Sequence, residues 1–203
     1  MKKKFLLLLI LAIAIFFRFY WLDKIPPSAS LDEASIGYNA FSILKTGADE
    51  YGTKFPLLLR AYDDWRPALY VYLVIPFVKI LGLNALAVRL PSAILSVLTI
   101  IAVYFLVKKL FHEEKTAFIV SFLLAISPWH IYISRLGHEV NAGLAFFIFA
   151  MLFVFWRKAY LAAIFLLLSF ISYQSEKIFI PLMILGMAVI YRKELFNQWK
   201  KII

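Results

Sequence analysis

PALYVYLVIPFVKIL, Pro67 to Leu81, is the stretch on which the fold turns. As a helix it reaches roughly 22 Å at about 1.5 Å per residue, short of the roughly 30 Å of a bilayer's hydrocarbon core. Several other apolar stretches are also short, so length does not settle whether it crosses. Charge does. If it stays at the surface, the inside pieces are Met1 to Lys4, Lys108 to Lys115, Arg157-Lys158 and Arg192 to Ile203, with twelve Lys/Arg against three acids. The outside pieces then hold nine basic and nine acidic residues. If it crossed, every later loop would change sides and the Lys/Arg-rich ones would lie outside, against the positive-inside rule.

The remaining apolar runs supply six spans, at about Phe5 to Leu22, Pro91 to Val107, Thr116 to Ile133, Ala142 to Phe155, Tyr160 to Tyr173 and Ile178 to Tyr191. The expected fold is all-α: a polytopic transmembrane helical bundle of about six spans, with interfacial helices in a long first external loop. Residues 1–22 form the first span, 23–90 the external loop and 91–203 the remaining spans of a single membrane domain. Both termini are cytoplasmic, in a plasma-membrane, multi-pass protein.

Composition agrees, because 64% hydrophobic residues, 17% charged residues and a mean hydropathy of +0.85 are more apolar surface than one soluble core buries. Of the net charge of +10, all but Arg18 in the first span comes from the inside pieces, which assigns it to topology and not to nucleic acid. There is no Cys, which excludes disulfides, thiolate metal sites and a Cys nucleophile. Lys2-Lys3-Lys4 before the run from Phe5 resembles a signal peptide, but Arg18-Phe19-Tyr20-Trp21-Leu22 is bulky where cleavage needs small residues. The segment reads as an uncleaved anchor.

Three polar clusters fall on the outer side. In the first, Ser30-Leu31-Asp32-Glu33 has the spacing of a capping box, opening a helix that Gly47 stops. Ile36, Ala40 and Ile43 share a stripe, so this helix is expected to lie amphipathically on the membrane surface. Structurally, Glu33 completes the cap and Asp32 complements the helix dipole. The second cluster, Tyr62-Asp63-Asp64-Trp65-Arg66-Pro67, is expected to open the interfacial helix with Pro67 in its first position; the alternative is a solvated cap with an Asp/Arg surface pair. The third, Ser134-Arg135-Leu136-Gly137-His138-Glu139-Val140-Asn141, follows a span that Pro128 kinks or ends; its bland reading is a snorkelling Arg and a polar turn.

These residues carry a resemblance. Arg18-Phe19-Tyr20 through Leu31-Asp32-Glu33-Ala34, Tyr38-Asn39-Ala40, Gly47 to Gly52, Phe55-Pro56, Arg66-Pro67-Ala68-Leu69-Tyr70, Val88-Arg89-Leu90-Pro91-Ser92-Ala93, Ile126-Ser127-Pro128-Trp129-His130 and Ser134-Arg135 occur in one order, with Tyr173 and Pro181 in later spans. The ordered set resembles the GT-C superfamily of lipid-linked glycosyltransferases, in the group of protein O-mannosyltransferases, aminoarabinose transferases and RgtA-like enzymes.

The resemblance implies transfer of a sugar from a polyprenyl-phosphate donor to an acceptor (glycan, lipid or protein) on the outer face, with inversion. It implies Asp32 as the catalytic carboxylate and Arg66 as the contact to lipid phosphate. Glu33, Asp63, Asp64, Arg89, Arg135, His138 and Glu139 are expected to bind substrate. The chemistry is sensible: an ionised Asp takes the acceptor's proton, and Arg holds an anionic leaving group bidentately. The partners implied are the donor, the acceptor and membrane lipids, with no nucleic acid. No cofactor is expected; His138-Glu139 stands where another branch has an Asp-rich metal motif, which leaves a divalent metal open. Such enzymes usually continue through more helices, so a fragment or truncated homologue is expected. The competing classes are a non-catalytic membrane scaffold and a transporter, the latter disfavoured because the spans carry no Asp, Glu, Lys or Arg except Arg18.

Overall fold

The computed structural model describes residues 2–61 and 64–190. Met1, Tyr62-Asp63 and the segment from Tyr191 onward, which carries the charges from Arg192, lie outside the described residues. Helix dominates: α1 (Lys2–Phe19), α2 (Leu31–Thr46), α3 (Leu69–Leu81), α4 (Ala85–Phe111), α5 (Glu114–Ile126), α6 (Pro128–Ser134), α7 (Glu139–Phe155), α8 (Ala159–Phe170) and α9 (Glu176–Ile190). A two-stranded antiparallel hairpin, β1 (Leu58–Ala61) and β2 (Asp64–Pro67), interrupts them.

The expected all-α character therefore holds for most of the chain and fails at the second polar cluster. Arg66 pairs with Leu59 and Pro67 with Leu58 across the hairpin, and the helix starts at Leu69 after the N-cap Ala68. Pro67 ends a strand; it does not open α3. A Pro is tolerated there because an edge strand does not need its N–H.

Helix α4 is the hub, packing on α1, α2, α3, α5, α6 and α7. Ala87, Ser92, Ala93, Ser96 and Ala102 are buried along it, small residues that let neighbouring backbones approach closely. Polar bonds tie the helices between these positions: Asn141 Nδ2 donates to the Ser92 carbonyl at 2.8 Å, and Ser169 Oγ to the Gly143 carbonyl at 2.9 Å. Among the described residues α4 is the one unbroken helix long and apolar enough to cross a membrane, and α5 with α6 makes a second candidate bent by 59°. Leu69–Leu81, Glu139–Phe155 and Ala159–Phe170 are shorter apolar helices.

The bend has a chemical cause. Pro128 has no N–H for the Leu124 carbonyl four residues earlier, so the helix ends and restarts. Arg18 fills the gap: its Nη2 donates to Leu124 O at 3.2 Å and its Nη1 to Ala125 O at 2.9 Å. Its other N–H groups reach Ser96 Oγ (2.6 Å), Ala14 O (3.2 Å) and His130 Nδ1 (2.8 Å). A buried guanidinium thus sits at the negative end of α5 with all five donors used.

Two ends of the bundle are defined by side chains. At one, Glu114 at the start of α5 binds Lys3 of α1 and, at 2.8 Å, Lys108 of α4. At the other, Arg89 near the start of α4 donates to the carbonyl of Leu22, just past α1, at 3.0 Å. Chain between Leu22 and Arg89 leaves and returns to the same end, so α2, the hairpin and α3 together make no net passage through the bundle.

The α2 stripe is a correction. Ile36, Ala40 and Ile43 do not face lipid; they are buried in one cluster with Val71, Val74 and Val78 of α3 and Val88 of α4. The capping box is present as expected: Ser30 Oγ accepts the Glu33 N–H at 3.1 Å and Glu33 Oε2 accepts the Ser30 N–H at 2.9 Å. Gly47 ends α2 in the left-handed region at φ 75°, where glycine carries no Cβ penalty.

Candidate functional site

The first turn of α2 places Asp32 and Glu33 on opposite sides of a boundary. Glu33 turns inward, where its side chain is 1% exposed; Asp32 turns outward with 42% exposed. They do different things.

Glu33 is the centre of a buried node. Arg89 Nε donates to its Oε1 at 2.7 Å and Nη2 to its Oε2 at 3.1 Å, a bidentate pair. The remaining Arg89 donors go to the carbonyls of Leu22 (3.0 Å), Pro26 (3.0 Å) and Ser28 (2.7 Å). Gly137 N–H adds a bond to Glu33 Oε1 at 2.9 Å. Burial would raise the Glu33 carboxyl, but the Arg89 guanidinium and the N–H groups of Ser30 and Gly137 together hold it below the usual range. All five N–H groups of Arg89 are spent inside the protein, which leaves none for an anionic ligand.

Gly137 is demanded by packing as well. A Cβ there would stand 2.5 Å from Val88 Cγ1 and 2.8 Å from the Val88 carbonyl. Only glycine lets the α6–α7 connection lie on α4 and bring its N–H to Glu33.

Arg135 is also committed inward, unlike the snorkelling side chain of the bland reading. Its guanidinium donates to the carbonyls of Phe17 (2.7 Å), Tyr20 (2.8 Å), Trp21 (3.2 Å) and Ile25 (2.9 Å), tying down the end of α1.

Around Asp32 a second, more open group forms. Arg66 Nη2 donates to Asp32 Oδ1 at 2.8 Å, and His138 Nε2 lies 3.5 Å from Asp32 Oδ2. These residues come from α2, from β2 and from the N-cap of α7. Arg66 is 16% exposed, and its Nη1 is buried with no hydrogen bond among the described residues. Behind His138, Glu139 Oε2 is buried without a hydrogen bond and lies 3.3 Å from His138 Nδ1. Tyr173, before α9, sets its ring edge-on to the His138 ring.

Of the residues singled out in the sequence, Asp32, Arg66, His138 and Glu139 are brought together, with Glu33 and Arg89 beneath them. Asp64 is exposed and its Oδ1 accepts the Trp65 N–H at 2.7 Å, while Arg66 makes a long-range pair with Asp32. Asp63 lies outside the described residues. Sequence reasoning missed the packing of Gly137, the Arg18–His130 bond and the place of Tyr173 beside His138. Among the described residues there is no cluster of three or more His, Asp or Glu side chains arranged to hold a metal ion.

The comparisons with known proteins bear on what such a group does. No curated protein and no solved structure matches the chain. One family model does, over residues 65–202, which runs from β2 and Arg66 through Arg89, Arg135, His138 and Glu139. That match covers more than half of the chain and brings with it a membrane location and glycosyltransferase activity as a class. The chain belongs to the dolichyl-phosphate-mannose-protein mannosyltransferase family, within the GT-C membrane glycosyltransferases.

Proposed function

We propose that this protein transfers a sugar from a polyprenyl-phosphate donor to an acceptor hydroxyl on the outer face of the plasma membrane, with inversion. The observation that carries the reading is the meeting of Asp32 and Arg66, 34 residues apart, with Asp32 open to solvent and Arg66 Nη1 without a hydrogen bond among the described residues. Asp32 is the general base for the acceptor hydroxyl. Arg66 binds the donor phosphate through Nη1 while Nη2 holds Asp32 in orientation.

Glu33, Arg89 and Arg135 leave the substrate-binding set and become the frame that fixes Asp32 and His138. Their donors and acceptors are satisfied inside the protein, so they position the open pair without touching the donor. A transporter is disfavoured for the same reason: Arg18, the ionisable group within the first span, is fully engaged with protein acceptors.

The donor phosphate gives the direct test. Arg66→Ala should lower donor use by about a hundredfold, the scale of losing a charged hydrogen bond to an anion in the transition state. Arg66→Lys should restore only part, because the fork that serves Asp32 and phosphate together is gone. The measurement is release of polyprenyl phosphate from lipid-linked sugars, dolichyl-phosphate-mannose among them, by membranes carrying the full chain. Unchanged donor use in both variants would return Arg66 to a structural partner of Asp32.

Topology belongs to the same proposal: six spans, both ends cytoplasmic, and α3 at the outer interface. A reporter active only outside the cytoplasm should be active when fused after Lys54 or Gly137 and silent after Lys109 or Lys193. Activity after Lys109 would mean that Pro67 to Leu81 crosses, and the six-span arrangement would then be wrong.

A further inference from the structure

We infer that Gln174 is a positioning residue for Arg66: from the connection between α8 and α9 it pins the peptide that carries Arg66, while its neighbour Tyr173 braces His138. The inference rests on Arg66 as the contact to donor phosphate. Arg66 stands on a two-stranded hairpin, an element that is marginal without further support. Asp64 and Trp65 at the start of β2 are exposed. The Trp65 carbonyl nevertheless accepts a hydrogen bond from Gln174 Nε2, 109 residues away. That carbonyl belongs to the planar peptide unit that joins Trp65 to Arg66, so whatever holds it holds the backbone nitrogen of Arg66 as well.

The amide is held in one orientation. Lys177 Nζ, which can only donate, takes Gln174 Oε1 at 2.7 Å and leaves Nε2 to face Trp65. The adjoining Tyr173 sets its ring edge-on to the His138 ring, with centroids 6.3 Å apart. Two consecutive residues thus reach both neighbours of Asp32, one through the strand that carries Arg66 and the other through the ring of His138.

The connection has its base on α7, the helix that His138 caps. Ser169 Oγ, in the last turn of α8, donates to the Gly143 carbonyl at 2.9 Å. Tyr173 and Glu176 also lie against Gly143, where an added Cβ would stand 3.2 Å from Glu176 Cγ and 3.4 Å from Tyr173 Cβ. The chain between is closed by Ser172 N–H to the Ser169 carbonyl at 3.0 Å and by Lys177 N–H to the Gln174 carbonyl at 3.2 Å. Gln174 therefore ties β2 to α7, and Arg66 meets Asp32 at 2.8 Å from the strand so held.

The test measures polyprenyl-phosphate release against donor concentration, in membranes carrying the full chain and with the same lipid-linked sugars. Gln174→Met keeps the length of the side chain and loses the donor. It should raise the donor KM by about fivefold, the scale of one net hydrogen bond, with thermal unfolding unchanged. A purely structural loss would reduce the amount of working enzyme, and so apparent kcat, with KM where it was. Gln174→Glu keeps the contact to Lys177 but sets an acceptor against the Trp65 carbonyl, and should raise KM at least as much. In an Arg66→Ala background neither change should weaken donor use further, because the effect passes through Arg66. Unchanged KM in Gln174→Met, a fall in apparent kcat alone, or full additivity with Arg66→Ala would each overturn the inference. A loss in Gln174→Glu without one in Gln174→Met would assign the effect to the added charge and overturn it too. The two readings fail separately: normal donor use in Arg66→Ala removes the phosphate contact and the positioning role with it, whereas a large loss in Arg66→Ala beside a normal Gln174→Met removes the role of Gln174 alone.

Discussion

Replacing Arg89 with Ala should abolish accumulation of folded protein. The change strands a buried Glu33 carboxylate and frees three carbonyls, those of Leu22, Pro26 and Ser28. Breaking one side of a buried pair costs about 3–5 kcal/mol, against a total stability of about 5–15 kcal/mol for a typical domain. Arg89→Lys should fare little better, since three ammonium donors cannot replace five bonds arranged around a planar fork. Glu33→Gln keeps the cap to Ser30 but removes the counter-charge, and should destabilise less than Arg89→Ala. Because the two side chains touch, Glu33→Gln with Arg89→Met should cost less than the two single changes added together.

The same node sets an acid limit. Glu33 is held below its ordinary value in the folded protein, so its contribution is present at neutral pH and is lost as pH falls through the folded value. Thermal unfolding in detergent should therefore show an acid limb below about pH 4 that is reduced in Glu33→Gln. Additive destabilisation in the double variant, together with an unchanged acid limb, would mean that the pair is not the centre of the frame.

Much of this frame was legible in local patterns. Ser30 to Glu33 reads as a capping box because the S-x-x-E spacing alone brings the two reciprocal bonds within reach, and Gly47 and Pro128 act through their own backbone chemistry. The hairpin was not legible. Leu57-Leu58-Leu59 is an apolar run without alternation, and Pro67 beside a helical pattern suggests a helix start; the pairing of Leu58 with Pro67 and Leu59 with Arg66 is long-range and leaves no local mark.

The site divides along the same line. That Asp32, Arg66 and His138 fall on one side is the expectation from charge and order, and the structure brings the three together. That Asp32 is open while Glu33, its neighbour, is sealed by Arg89 and Gly137 is a tertiary fact, carried by residues 56 and 104 positions away. Arginines at a membrane boundary look alike in sequence whether they await a phosphate or cap a chain. Among the described residues Arg66 keeps a nitrogen without a hydrogen bond, whereas Arg89 has none and Arg135 closes on the end of α1.

The central claim is that Asp32 is the base. A first-turn carboxylate that only complements the helix dipole is worth about 0.3–1 kcal/mol, so Asp32→Asn would fold normally and work normally. A general base that becomes an amide cannot take the acceptor proton, and turnover should fall about a hundredfold or more with folding intact. Asparagine can still accept from Arg66, which keeps the local geometry. The decisive measurement is sugar transfer from a polyprenyl-phosphate donor, wild type beside Asp32→Asn, in membranes carrying equal amounts of folded full-length chain. A near-complete loss of turnover with unchanged thermal stability is the predicted result; near-wild-type turnover in Asp32→Asn would contradict the account at its centre.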